Sequence, residues 1–232
     1  MTLQLQDPFA EGGNRLCFVH PENPERCIKV RRPDFSLEER RRQKGFPKNL
    51  KPLSRFDDNR EEAAVMTGLA RRYGEPIYRH VSRCYGFVAT SHGPGLISEL
   101  IRNEDGTIAS TLKKLLWDRG MTPECDRAIG DLCSFWEKLA VPSRDLLLHN
   151  LVVEQTRSGA SRIVVIDGLG SSSLIPLALL PSYFARAKAR RKVKNLRERI
   201  DGLLEARHTG VYPGLRGLLL HDGRVDPQDK GP

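Results

Sequence analysis

No stretch of the 232-residue chain approaches the roughly eighteen consecutive apolar residues of a membrane-spanning helix. A helical membrane span is therefore excluded. The opening Met1-Thr2-Leu3-Gln4-Leu5-Gln6-Asp7 has neither the basic start nor the apolar core of a secretory signal, and a cytoplasmic location is expected. Cysteine is scarce: Cys17, Cys27, Cys84, Cys125 and Cys133 are odd in number, scattered and mostly set inside apolar segments. That usage excludes a disulfide frame and a paired-cysteine zinc site, and leaves reduced core thiols. Zinc-finger, helix-turn-helix and aromatic-stacking patterns are also missing, which weighs against nucleic-acid binding as the main role.

What is present is ordinary apolar content, 39% hydrophobic residues, with 29% charged. The length suits one domain of two lobes or two small domains with a real core. The formal net charge of +9 suggests an anionic partner: nucleotide phosphate, nucleic acid or an acidic membrane surface. Much of that charge lies between Ala185 and Arg207, where nine basic residues face three acids. A solvated basic helix would give the same count.

The most informative stretch runs from Ser143 to Gly170. Ser-Arg-Asp-Leu-Leu-Leu-His-Asn leads into the apolar Leu151-Val152-Val153, and after a turn at Gln155 to Ser161 a second apolar run ends in Ile166-Asp167-Gly168. A loop, a strand, a turn and a second strand follow from this pattern. Asp145, Asn150 and Asp167 would then gather at one end of a hairpin, where oxygen-bearing side chains can hold a metal and a phosphate. Singly, each acid is more simply a cap or turn residue.

Upstream, the glycine pair Gly12-Gly13 precedes the strand Leu16-Cys17-Phe18-Val19, and two glycines allow backbone amides to approach a phosphate. Arg26-Cys27-Ile28-Lys29-Val30 forms another strand, in which Lys29 is flanked by apolar residues and needs an anion or a route to solvent. Residues 31–59 read as a charged insertion, with a short exposed helix at Glu38–Arg42. From Arg60 to Tyr73 the spacing of Met66, Leu69, Ala70 and Tyr73 predicts a helix, and Glu62 shares its inward face while Glu61 lies about a hundred degrees away. Val81–Thr90 and Leu96–Ile101 read as two more strands.

The second half is mainly helical. Ser110 is placed to cap a helix through Trp117, and Thr122-Pro123 starts another with the stripe Ile129, Leu132, Cys133, Trp136 and Leu139. A helix from Tyr183 to about Arg207 follows, then a docked turn or helix at Gly210–Leu220 and a disordered tail at 222–232.

Taken together, these residues resemble the protein-kinase signature set: a strand lysine, a helical glutamate, and a loop Asp, an Asn and a second Asp before Gly. Within that superfamily the chain resembles the bacterial YrbL family of the PhoP regulatory network. The likeness runs from Asn14-Arg15 and Cys27-Ile28-Lys29-Val30 through Tyr85-Gly86-Phe87-Val88-Ala89-Thr90 and Gly95–Ile101 to Asn150–Val153 and Ile166–Gly170. The resemblance implies an α+β, kinase-like, two-lobed fold: residues 1–101 as an N-lobe of five strands and one helix, and 102–221 as a reduced C-lobe. It further implies ATP and Mg2+ as ligands, with Gly12, Gly13, Lys29 and Glu62 around the phosphates and the Glu99 segment at the hinge that meets adenine. Asp145 would be the catalytic base, and Asn150 and Asp167 the magnesium ligands.

Three departures bear on activity. Ser143 stands where the catalytic loop has His, Leu147 where it has a cation, and Gly168-Leu169 where Phe-Gly would follow the metal Asp. The short span after Asp167 leaves no room for a peptide platform, so a small-molecule, sugar or lipid hydroxyl is the expected acceptor. The alternative is a pseudokinase-type regulatory protein that uses the basic residues 186–199 to dock an acidic membrane surface or other polyanion.

Overall fold

The alternation of the first two long strands decides how the first half is built. Arg15–His20 (β2) and Asn23–Arg31 (β3) pair antiparallel, with Phe18 opposite Ile28 and Cys17 opposite Lys29. One face thus carries Phe18, Ile28 and Val30, which form a core with Leu3 and Ile97. The other carries Cys17 and Lys29. The short Ala10–Glu11 (β1) pairs with β2, while Cys84–Thr90 (β4) and Gly93–Glu99 (β5) form a hairpin, giving one five-stranded sheet of order β1-β2-β3-β5-β4. Gly95 is required in β5, since a Cβ there would lie 2.3 Å from the Ile28 side chain.

The computed structural model describes residues 2–43, 45–50, 52–170 and 182–223. The stretch Ser171 to Leu180 and residues 224–232 of the expected tail lie outside them. The chain divides into two compact units, residues 1–77 with 83–100, and residues 78–82 with 101 onward.

In the first unit the charged insertion is shorter than 31–59, because β3 runs to Arg31 and the helix after it starts at Asp58. It contains the helix Leu37–Gln43 (α1), which buries nothing. Phe56, at its end, is buried and ties the segment to the core. The helix Asp58–Tyr73 (α2) begins two residues earlier than its apolar spacing suggests because Asp57 caps it, accepting from the Asn59 and Arg60 amides. The strand expected from Val81 starts only at Cys84. Tyr78–Ser82 belongs to the second unit instead, where the Ser82 amide donates to the Val165 carbonyl and the Val165 amide to the His80 carbonyl.

The second unit is built on helices around one hairpin. Leu112–Arg119 (α3) is capped by Thr111 and not by Ser110, and Pro123–Leu139 (α4) by Thr122 with proline in its first turn. Ile129, Leu132 and Trp136 of α4 are fully buried. Leu151–Thr156 (β6) and Gly159–Val165 (β7) pair antiparallel, so the turn narrows to Arg157-Ser158. Ser182–Arg207 (α5) buries Ala185, Ala189, Val193, Leu196, Ile200 and Leu203 as one stripe.

After α5 the chain is neither helical nor loose up to Gly223. The ammonium of Lys113, a buried residue, donates to the carbonyls of Pro213 and Arg216, and Thr111 Oγ1 donates to the Gly217 carbonyl at 2.8 Å. The ring of Tyr212 stands edge-on to Trp117, and the Ile108 amide donates to the Asp222 carbonyl at 2.8 Å. The tail expected to be disordered from 222 is therefore held through Asp222. All five cysteines are free thiols, and burial pushes Cys125 up to about 11, where it stays protonated.

His80 is buried with Nδ1 2.8 Å from the Ile163 carbonyl, and burial holds its pKa below the ordinary 6.5; burial, with the nearby Arg216 and Lys113, does the same for His149. Both groups bind a proton more readily unfolded than folded. Linkage then makes stability rise with pH across their range and fall as the pH drops below 6.5. Thermal denaturation is expected to show a lower Tm at about pH 5.5 than at about pH 7.5, and a shallower slope in His80→Gln; an identical slope in that variant would count against the assignment.

Candidate functional site

In the first unit, β3 presents Lys29 from the sheet face opposite the Phe18 core, and α2 presents Glu62 to it. The Lys29 ammonium donates to Glu62 Oε1 at 2.7 Å, with only 6% and 7% of the two side chains exposed. The sequence had not suggested a third member, Arg15, which pairs with Glu62 Oε2 and donates to Asn59 Oδ1 at 3.2 Å. Asn59, itself buried, donates to the Lys29 carbonyl at 2.8 Å and so ties the first turn of α2 to β3.

Gly12 and Gly13 form the exposed turn between β1 and β2, closed by the Gly12 amide donating to the Arg15 carbonyl at 2.8 Å. Asn14 continues it, donating to Asp58 at 2.8 Å, so the glycine turn is fastened to the start of α2. Glu99 sits elsewhere. Its carboxylate accepts from the Arg83 amide at 3.0 Å, its amide donates to the Arg83 carbonyl, and the Leu100 amide donates to the Glu25 carbonyl. Both amides are thus donors within the unit.

In the second unit, two segments run alongside one another below the hairpin. Ser143 bridges Leu169, the Arg144 amide donates to the Gly168 carbonyl at 2.8 Å, and the Gly170 amide to the Pro142 carbonyl at 3.0 Å. This sets Asp145 against Gly168. A Cβ on Gly168, whose φ is +78°, would lie 2.8 Å from the Asp145 carbonyl and 3.1 Å from the Asn150 side-chain nitrogen. Only glycine fits. Asp167 Oδ1 accepts from the Gly168 amide at 2.6 Å, and the Ile166 amide donates to the Asn150 carbonyl at 3.0 Å. The Asp145 carbonyl, the Asn150 side-chain nitrogen and the Asp167 carboxylate therefore meet at one glycine, and an asparagine amide beside an aspartate carboxylate is a donor pair that suits a hard oxygen-seeking cation such as Mg2+.

The departures have structural causes. Ser143 is buried and accepts from the indole of Trp136 at 3.3 Å, so the position usually held by His is a core contact here. Leu147 opens the 3-10 turn Leu148–Asn150 and brings no charge. The cations at this site come instead from α5. Arg199 pairs with both oxygens of Asp145, at 3.0 and 2.7 Å, and Lys192 Nζ lies 3.7 Å from Oδ1.

The basic helix is accordingly divided in its uses. Lys192 and Arg199 turn to Asp145, and Arg207 donates to the Trp117 and Asp118 carbonyls at the end of α3. Arg186, Arg190, Arg191, Lys194 and Arg197 remain exposed, so the polyanion surface expected over 186–199 is confined to this outer face.

The profile of the family described as PhoP regulatory network protein YrbL matches residues 1–201. Two curated relatives, each an uncharacterized protein YrbL, come from Escherichia coli strain K12 and Shigella flexneri. Each is 24% identical over 197 residues, spanning 82% of this chain and 83% of the relative. Among solved structures, that of Rad53 residues 1–466 in complex with AMP-PNP aligns with a TM-score of 0.45 at 13% identity, over 90% of this chain. The chain spans about half of that one, 48% of its length.

Removing Glu62 takes a shared counter-charge from two sequestered cations. Glu62→Ala is expected to cost about 3–5 kcal/mol in urea denaturation. Lys29→Met, which leaves Arg15 on Glu62, should cost less. Equal costs would contradict the three-member cluster.

Proposed function

The chain belongs to the PhoP regulatory network protein YrbL family, and from that membership and the site geometry we propose that it is a kinase-like, Mg-ATP-binding phosphotransferase acting on a small-molecule, sugar or lipid hydroxyl. The observation that carries this is the sequestered Lys29–Glu62 pair. A lysine held by a helical glutamate on a central strand is positioned as a fixed cation for nucleotide phosphates. Neither partner is needed there for packing, since an apolar pair would fill the same space at no desolvation cost.

Asn150 and Asp167 would hold the magnesium ion, which supplies charge neutralisation on the phosphate oxygens. Asp145 accepts the proton of the acceptor hydroxyl as its oxygen bonds to phosphorus and the bond from phosphorus to the departing ADP oxygen breaks. Most of the rate enhancement in such a transfer comes from positioning and charge stabilisation, so a well-fixed Asp145 matters more than a strong base. Residues 168–181 alone separate Asp167 from α5, which leaves little chain for a peptide platform and favours a small acceptor.

A second possibility is a regulatory protein with a nucleotide pocket as its switch. The exposed cations on the outer face of α5 and the loss of a cation at Leu147 favour it. It places function on Arg190, Arg191 and Lys194 and none on the proton-accepting role of Asp145.

Mg-ATP at a hundred times its Kd stabilises a protein by about 2.7 kcal/mol. For a chain of this size that corresponds to a Tm rise on the order of 5–10 °C. Wild type should show this rise with Mg-ATP, and Lys29→Ala and Asp167→Ala should lose most of it. No rise at millimolar Mg-ATP would refute nucleotide binding; a rise without turnover on any hydroxyl acceptor would favour the regulatory alternative.

A further inference from the structure

The loop after Asp145 supplies no lysine or arginine before Asn150: Leu146, Leu147 and Leu148 are apolar and His149 is the one ionisable residue. A transferring phosphoryl group spreads negative charge over three oxygens, and a site without a cation beside it is poorly matched to that charge. Two positive groups nevertheless reach this point from α5. Lys192 and Arg199 are seven residues apart, two helical turns, and each immediately precedes a member of the buried stripe, Val193 and Ile200. The packing of that stripe fixes the rotation of the helix, so both side chains are aimed along the same flank at Asp145.

The two cations are bound differently. Arg199 takes both carboxylate oxygens of Asp145, a bidentate match that fixes the plane of the acid. Lys192 is left at 3.7 Å from Oδ1, beyond hydrogen-bond range, and it makes no hydrogen bond to a described residue although only 14% of its side chain is exposed. An ammonium this sequestered, with three donors and its paired carboxylate already claimed by Arg199, has donors left over among the described residues.

We propose that Lys192 is the ligand for the terminal phosphoryl group of the nucleotide, taking from α5 the place that Leu147 leaves empty in the loop, while Arg199 is a positioning residue that holds Asp145. This rests on the nucleotide-binding function proposed above and specifies which phosphate Lys192 contacts. It also gives α5 a role at the reacting phosphate, separate from its exposed outer face.

The test is calorimetric titration of the full chain with Mg-ATP, Mg-ADP and inorganic phosphate, for wild type, Lys192→Ala, Lys192→Arg and the exposed-face control Lys194→Ala. A charge-assisted contact to one phosphate is lost in Lys192→Ala, so Mg-ATP affinity should fall about tenfold or more. Mg-ADP affinity should stay unchanged, Lys192→Arg should restore most of the preference for ATP, and Lys194→Ala should match wild type. An unchanged ATP-to-ADP ratio in Lys192→Ala, or equal losses for both nucleotides, overturns the assignment while leaving nucleotide binding intact. Wild type that binds inorganic phosphate alone, or neither nucleotide, overturns the nucleotide function and this assignment with it.

Discussion

A carboxylate as secluded as that of Glu62 is sustainable only with cations pressed against it, and the first unit is arranged to deliver two. β2 brings Arg15 and β3 brings Lys29, while Asn59, one turn earlier on α2, bonds both the Arg15 guanidinium and the Lys29 carbonyl. The sheet register, the position of α2 and the ion cluster thus constrain one another. Moving the helix by one residue would replace Glu62 with a neighbour about a hundred degrees away and take their shared counter-charge from two cations. Such a cluster does not maximise stability; it fixes the lysine ammonium in one place on the sheet face.

The second unit meets a related requirement by different means. Its acids converge because residues 142–144 pair with 168–170, and the close approach at Gly168 brings Asp145 and Asn150 against the turn that follows Asp167. Asp145 takes its bidentate cation from Arg199, 54 residues further along the chain, on a helix whose rotation is fixed by an apolar stripe. Core packing and the charge around Asp145 are therefore coupled in α5, and the same helix leaves five cations facing solvent.

Much of this was legible in the sequence because it follows period and pattern. The apolar flanks of Lys29, the spacing that set Glu62 apart from Glu61, and the two apolar strands ahead of Asn150 and Asp167 all express local rules. Contacts set by long-range register were not legible. Nothing local marks Arg15 as the second partner of Glu62, or Lys192 and Arg199 as partners of Asp145, beyond their places at the edge of a buried stripe. Docking of the segment 210–220 was expected, but its partners were not legible because carbonyl contacts to Lys113 carry no side-chain signature. Strand limits moved where capping and pairing overrode apolar spacing, as at Asp57 and Val81.

The central proposal is that the lysine–glutamate cluster binds nucleotide phosphate and that the acids around Gly168 hold magnesium. Hydrogen exchange read peptide by peptide, with and without Mg2+ and a non-hydrolysable ATP analogue, tests it most directly. The account predicts added protection in β3 around Lys29 and around Asn150 and Asp167–Gly168 together, each dependent on the metal. Protection confined to the outer face of α5, or absent from both regions, would contradict it.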